Sequence, residues 1–255
     1  MPAPRFSPKA IVFLRSLKRN NTRDWFQPRK EQYETLLRQP MLDLIEQLAI
    51  DFRTFAPELR ADAKSLFRIY RDTRFSEDKS PYKTQVSAVF PHKHLAKIGG
   101  GVLYVEVAPG GVWAGGGIYR PDTSVLQAER EHIASNLRRF RTIVESRAFR
   151  RVLGTLEGGD LLQRVPRGFP QDHPAAQYLK YRMFIGGSEF PASFATSPRF
   201  YRGILNVFRH VTPLLRFLNE PLLSHRTEHV ERSKSNGERR TQNAERRTEH
   251  VERRT

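Results

Sequence analysis

The chain has 255 residues, 38% of them hydrophobic, and carries 44 Lys+Arg against 27 Asp+Glu for a formal charge of +17. That length and apolar content can bury a real core in one domain, which excludes collagen-like and wholly disordered classes. Cysteine is absent, so a disulfide scaffold, a thiolate metal site and a cysteine nucleophile are excluded too.

From the N-terminus, Ser7 and Pro8 form an N-cap and first-turn pair before Ile11, Leu14 and Leu17, spaced for one helical face. The apolar stretch from Ile11 to Leu14 is too short for a secretory signal. No stretch reaches the roughly 20 apolar residues of a membrane span. The expectation is a soluble cytoplasmic protein without membrane insertion. A second helical region runs from about Pro28 to Phe52, apolar at Tyr33, Leu36, Leu37, Leu44, Ile45, Leu48 and Phe52, with Pro40 expected to break or kink it. The period then changes. Lys83 to Phe90, Val102 to Ala108 and Val112 to Tyr119 read as strands, the last two joined by Pro109-Gly110-Gly111. Asp122 and Thr123 open a helical stretch through Leu126, Ile133, Leu137 and Ile143. Ser197-Pro198 starts a final helix bearing Ile204, Phe208, Val211 and Leu215, with a kink expected at Pro213. Helices before and after a block of short-looped strands predict an α+β fold, an antiparallel sheet flanked by N- and C-terminal helices, as one domain over 1–223.

From Ser224 the chain repeats in sevens: SHRTEHV, ERSKSNG, ERRTQNA, ERRTEHV, ERRT. Each full unit offers one apolar or small position where a coiled coil needs two. Residues 224–255 therefore read as a disordered appendage without a catalytic role. The tail holds nine basic and six acidic residues, so +14 belongs to the body. Such a charge favours nucleic acid, phosphorylated metabolites or an anionic surface. A general arginine-rich bias explains it equally well.

The segment richest in chemistry is RIYRDTRFSEDKSPYK, Arg68 to Lys83. Leu66 to Tyr70 alternates like a strand, with Phe67 and Ile69 on one face and Arg68 on the other. Arg68, Arg71 and Arg74, interleaved with Asp72, form a compact set of planar donors that match phosphate or carboxylate oxygens. Lys79 and Lys83 add cations, and Asp78, Pro81 and Tyr82 add a turn and a phenol. A closed ion-pair network that only fixes a loop accounts for the same residues.

This segment resembles the bacterial and fungal family of unknown function catalogued as number 2461. The hallmark of that family matches at Arg68, Arg71, Asp72, Arg74, Phe75, Asp78, Lys79 and Tyr82. The resemblance extends over most of Phe6 to Leu222 and leaves out the tail. It implies no catalytic residues, only the hallmark positions.

Elsewhere, Asp172 beside His173 could orient an imidazole, but a helix N-cap is the expected role of Asp172. Trp113, Gly115, Gly117 and Tyr119 share one strand face, a bare patch between two aromatics. Close helix packing is the expected cause, and a flat ligand is the alternative. His92 and His94 lack accompanying carboxylates, so no metal or cofactor is expected. Three readings follow. In the first, an enzyme or sensor holds an anionic, phosphate-bearing small molecule through Arg68, Arg71, Arg74, Lys79 and Lys83. Asp72 or Asp78 then serves as orienter or base, and Tyr82 or His173 as proton donor. The second is a nucleic-acid-binding module using Tyr70, Phe75 and Tyr82 for stacking. The third is a purely architectural cluster.

Overall fold

Ser7 is extended and Pro8 takes the first turn of α1 (Pro8–Arg19), which buries Ala10, Ile11, Phe13, Leu14 and Leu17. The computed structural model describes residues 3–74, 76–97 and 99–224. The repeat tail expected to be disordered, apart from its first residue Ser224, and the hallmark Phe75 lie outside them. Thr22 caps α2 (Arg23–Phe26), and α3 (Lys30–Tyr33) follows. A π-helical turn, Glu34–Arg38, leads into α4 (Gln39–Phe55). Pro40 has no N–H to give the turn before it, and that turn widens to the π form. The break expected at Pro40 is therefore a change of helical pitch.

The sheet comprises β1 (Val86–Pro91), β2 (Val102–Val107) and β3 (Gly111–Ile118), completed later by β4 (Phe184–Pro191). Neighbours are antiparallel in the order β1-β2-β3-β4. Between β3 and β4 run α5 (Thr123–Ser135), α6 (Leu137–Val144), α7 (Arg147–Leu153) and α8 (Ala176–Leu179). The single stretch predicted from Asp122 thus divides at Asn136 and again at Ser146, whose hydroxyl accepts from Phe149 N to start α7. A last helix, α9, spans 200–224 and runs unbroken through Pro213, where a kink was expected.

One sheet face is the core. Phe90 of β1 meets Phe52 of α4 and Phe208 of α9 with ring centroids 5.3 and 5.6 Å apart. Leu103, Val105, Val107, Val112 and Ala114 are buried on the same side, as strand alternation requires. The sheet edges carry short extended segments: Leu66 bridges Ala88 beside β1, and Glu157 bridges Ile185 beside β4. Both cover backbone groups that an open edge would expose. The fold is α+β, with the antiparallel sheet flanked by N- and C-terminal helices. No helix among the described residues is long and apolar enough to cross a membrane.

Candidate functional site

The hallmark segment is a hairpin on the β1 side of the sheet. Tyr70 bridges Tyr82, Arg71 N donates to Pro81 O at 2.9 Å, and Lys83 N donates to Ile69 O at 2.7 Å. The polar residues fill the loop between the two arms. Arg74 donates through Nε and Nη2 to the two oxygens of Asp72, at 3.0 and 2.7 Å. These bonds hold the Asp72 carboxyl down to about 2. Arg71 Nη1 donates to Asp78, whose other oxygen accepts from Ser80 N at 2.9 Å. The bonds from Ser80, then that from Arg71, hold Asp78 to about 2 as well. Lys79 Nζ donates to Thr73 O at 3.0 Å. Asp72 pairs with Arg74 and Asp78 with Arg71, and all four residues belong to one hairpin.

Tyr82 stands apart from the loop's polar surface. Its ring is 1% exposed and stacks on Phe26 at 4.1 Å. Its backbone is clamped by the Asn21 amide, which donates to Tyr82 O at 2.8 Å and accepts from Tyr82 N at 3.1 Å. The arms of the hairpin are thus fixed to the α1–α2 connection. His173 is not brought to this place. It accepts from Ala175 N at 3.0 Å and packs on Phe169, and none of these contacts reaches the hairpin. The N-cap expected of Asp172 is not formed: α8 has no side-chain cap hydrogen bond, and the His173 ring bonds only the N–H of Ala175. The N-cap position of α8 is Ala175, three residues beyond Asp172.

The hairpin's base opens into a cleft of about 520 Å³ on the sheet face away from the core. Lys83, Gln85, Ser87 and Val89 line it from β1 and its approach, Val102, Tyr104 and Glu106 from β2, and Trp113 and Tyr119 from β3 and its end. These positions alternate, so the pleat sends all of them to one side. The two edge segments supply the walls, Phe67 at one end and Glu157 at the other. Tyr104 donates its phenol to Glu106 at 2.7 Å, and burial raises the Tyr104 phenol above its ordinary range.

Cations gather at the Phe67 end. Lys83 Nζ and Lys97 Nζ each lie 4.7 Å from the centroid of the Phe67 ring, so they stand no more than twice that distance apart. Burial lowers the Lys83 ammonium below its ordinary value, and the positive charges of Arg68 and Lys97 lower it further. Among the described residues no carboxylate lies within ion-pair distance of Lys83, Lys97 or Arg68. Of the residues singled out in the sequence, Lys83 lines the cleft and Arg68 acts on it electrostatically. Period-two alternation continued back from Val89 to Lys83 is the signal that could have revealed this wall.

Helix packing, the expected cause of the glycine patch, is not found on this face. Helices pack on the opposite face, where a Cβ at Gly116 would meet Leu215 at 2.9 Å and one at Gly186 would meet Phe149 at 2.8 Å. On the cleft face the indole of Trp113 lies against Gly115 of its own strand and Gly187 of the next, while Gly117 has a positive φ of 137° that favours glycine. A Cβ at Gly115 would lie 2.6 Å from the Trp113 Cη2, and one at Gly187 would lie 2.4 Å from its Cζ2. The glycines let a tryptophan lie down on the cleft floor.

Glu129, which no sequence pattern marked, is wholly buried in α5 with neither carboxyl oxygen hydrogen-bonded among the described residues. Burial pushes its carboxyl up to about 9, so it is uncharged at neutral pH. No group of three or more His, Asp or Glu able to hold a metal occurs among the described residues. No curated protein and no solved structure matches the chain. The family model described as "Conserved hypothetical protein (DUF2461)" matches residues 9–217, from α1 into α9 and including the hairpin, the cleft and Glu129, and the chain belongs to that family.

Proposed function

We propose that the protein binds, in the cytoplasm, a small ligand with a phosphate or carboxylate group and a flat apolar body, seated in the open-face cleft. The observation that carries this reading is the pair Lys83 and Lys97, each 4.7 Å from the centroid of the Phe67 ring that lines the cleft, with the charge of Arg68 acting on Lys83. Like charges crowded at a half-buried place repel one another and lose hydration. A bound anion relieves both costs. Trp113, Tyr104 and Tyr119 offer ring faces and edges to the rest of the ligand. Arg71, Arg74, Asp72 and Asp78 support the reading by bracing the hairpin that presents Arg68 and Lys83, while their own charges are spent on one another.

The test is a thermal-shift screen of the full chain against aromatic phosphates, aromatic carboxylates, their neutral analogues and short oligonucleotides, at low and physiological salt. The expected result is stabilisation by one anionic class that survives physiological salt and is lost in Lys83→Met. Stabilisation by oligonucleotides alone, fading with salt, would replace this reading by a nucleic-acid surface. Equal shifts from neutral and anionic analogues would remove the anion from the proposal.

A further inference from the structure

We propose that Lys83 is a nucleophilic amine that captures a carbonyl-bearing ligand as an imine. The inference rests on the anionic-ligand reading for the class of that ligand, a small aldehyde or ketone that also carries a phosphate or carboxylate. Lysine is a weak nucleophile because its amine is ordinarily protonated. Two environments correct this, an apolar pocket that disfavours the ammonium and a second cation beside it. Lys83 has both. It lines a cleft walled by Val89, Val102, Trp113 and Ile185, where the loss of hydration outweighs the cation–π attraction of the Phe67 ring, 4.7 Å from Nζ. Its charged neighbours at that end are Lys97 and Arg68. The other ionisable groups lining the cleft are Tyr104, Glu106, Tyr119 and Glu157. Glu106 is engaged by the Tyr104 hydroxyl, and neither carboxylate is ion-paired with Lys83.

The cations then have separate tasks. Lys97, whose Nζ lies 4.7 Å from the Phe67 ring and also donates to Lys64 O, attracts the ligand's anionic group with the charge of Arg68 behind it, which places the carbonyl carbon at Lys83. The ammonium gives a proton to solvent, and the Nζ lone pair forms a C–N bond to the carbonyl carbon. The carbonyl oxygen collects one proton from the nitrogen and one from solvent and leaves as water, and the iminium nitrogen returns its remaining proton to solvent. Amine plus carbonyl becomes imine plus water, with no change of oxidation state.

The test uses the full chain with pyridoxal 5′-phosphate as an anionic probe aldehyde and benzaldehyde as a neutral one. Borohydride supplies the hydride that fixes any imine as a secondary amine, and peptide mapping locates it. Lys83 is expected to be labelled by the phosphate aldehyde several-fold faster than the exposed Lys9, Lys18 and Lys30 at pH 7.5, because burial and the neighbouring cations leave more of its amine unprotonated. Lys83→Arg, which keeps the charge, should lose that label while leaving the others. Lys97→Gln should slow it, and inorganic phosphate should protect against it. Labelling of Lys83 no faster than of the exposed lysines overturns the proposal. If an anion stabilises the fold through Lys83 in the thermal screen but no imine is trapped there, the nucleophile fails and the anion site stands. If both aldehydes trap Lys83 equally and phosphate does not protect, the nucleophile stands and the anion site fails.

Discussion

The Trp113 indole lies across the backbone of Gly187 on the neighbouring strand, so closely that a Cβ there would be 2.4 Å from its Cζ2. The pairing of a large ring with a bare strand sets the floor of the cleft. At Gly115 the same ring is close, but the nearest atom to an added Cβ is Gly186 O, at 2.4 Å. A side chain can turn away, whereas a backbone in a ladder cannot. Gly115→Ala should therefore cost more than Gly187→Ala, with each in or above the range of about 1–3 kcal/mol usual for overpacking. Urea denaturation gives the order, and a shift in tryptophan emission in Gly187→Ala reports displacement of the indole.

Asn21 fixes the hairpin by bonding both backbone groups of Tyr82. Asn21→Ala removes both bonds, at a cost of about 1–3 kcal/mol. Hydrogen exchange should show faster exchange at Ile69–Arg71 and Pro81–Lys83 than in the sheet. Unchanged protection there would mean that the stacking of Tyr82 on Phe26 suffices to hold the arms.

The two carboxylates of the hairpin loop differ from ordinary ones in acid. Both are held near 2 by hydrogen bonds to their ionised form. A group with a depressed folded pKa contributes stability above its unfolded pKa of 3.8 and loses it as pH falls through about 2. Carboxyl resonances of Asp72 and Asp78 should remain those of the ionised form at pH 3. In Arg74→Ala, Asp72 should return toward its ordinary titration while Asp78 does not, and the melting temperature should barely move because the pair is exposed.

Glu129 has the opposite sign. Its folded carboxyl is raised from 4.5 to about 9 by burial. Between those values the unfolded chain has released the proton that the folded chain keeps, so stability falls as pH rises from 4.5 and levels off above 9. The steepest slope a single such group can contribute is about 1.4 kcal/mol per pH unit. Glu129→Gln should flatten the pH profile and raise stability relative to wild type at pH 8 over pH 5. A parallel profile in the variant would show that Glu129 is ionised in the folded state.

The strands and helices that alternation and 3–4 spacing mark were legible because burial on one side imposes a period on the chain: α1, β1, β2, β3 and α9 all fall where the apolar pattern puts them. β4 was not legible. FIGGSEFP has paired glycines and a closing proline, and its strand character comes from pairing with β3, which lies far behind it in the chain. The hallmark residues were legible as a cluster, since Arg68, Arg71, Asp72, Arg74 and Asp78 are close in sequence and their charges must meet someone. Which partners they meet depends on the hairpin that Tyr70 and Tyr82 close.

The sequence by itself determined the fold class, the family and the polar cluster, because each is written in short-range periodicity and local residue chemistry. Tertiary structure alone decided that Lys83 and Lys97 both lie against the ring of Phe67, that Trp113 lies down on Gly115 and Gly187, and that Glu129 is sealed in the core. Each of those contacts joins separate elements or strands. A side chain's solvation and electrostatic surroundings are set by whatever the fold brings against it, and no local pattern carries that information.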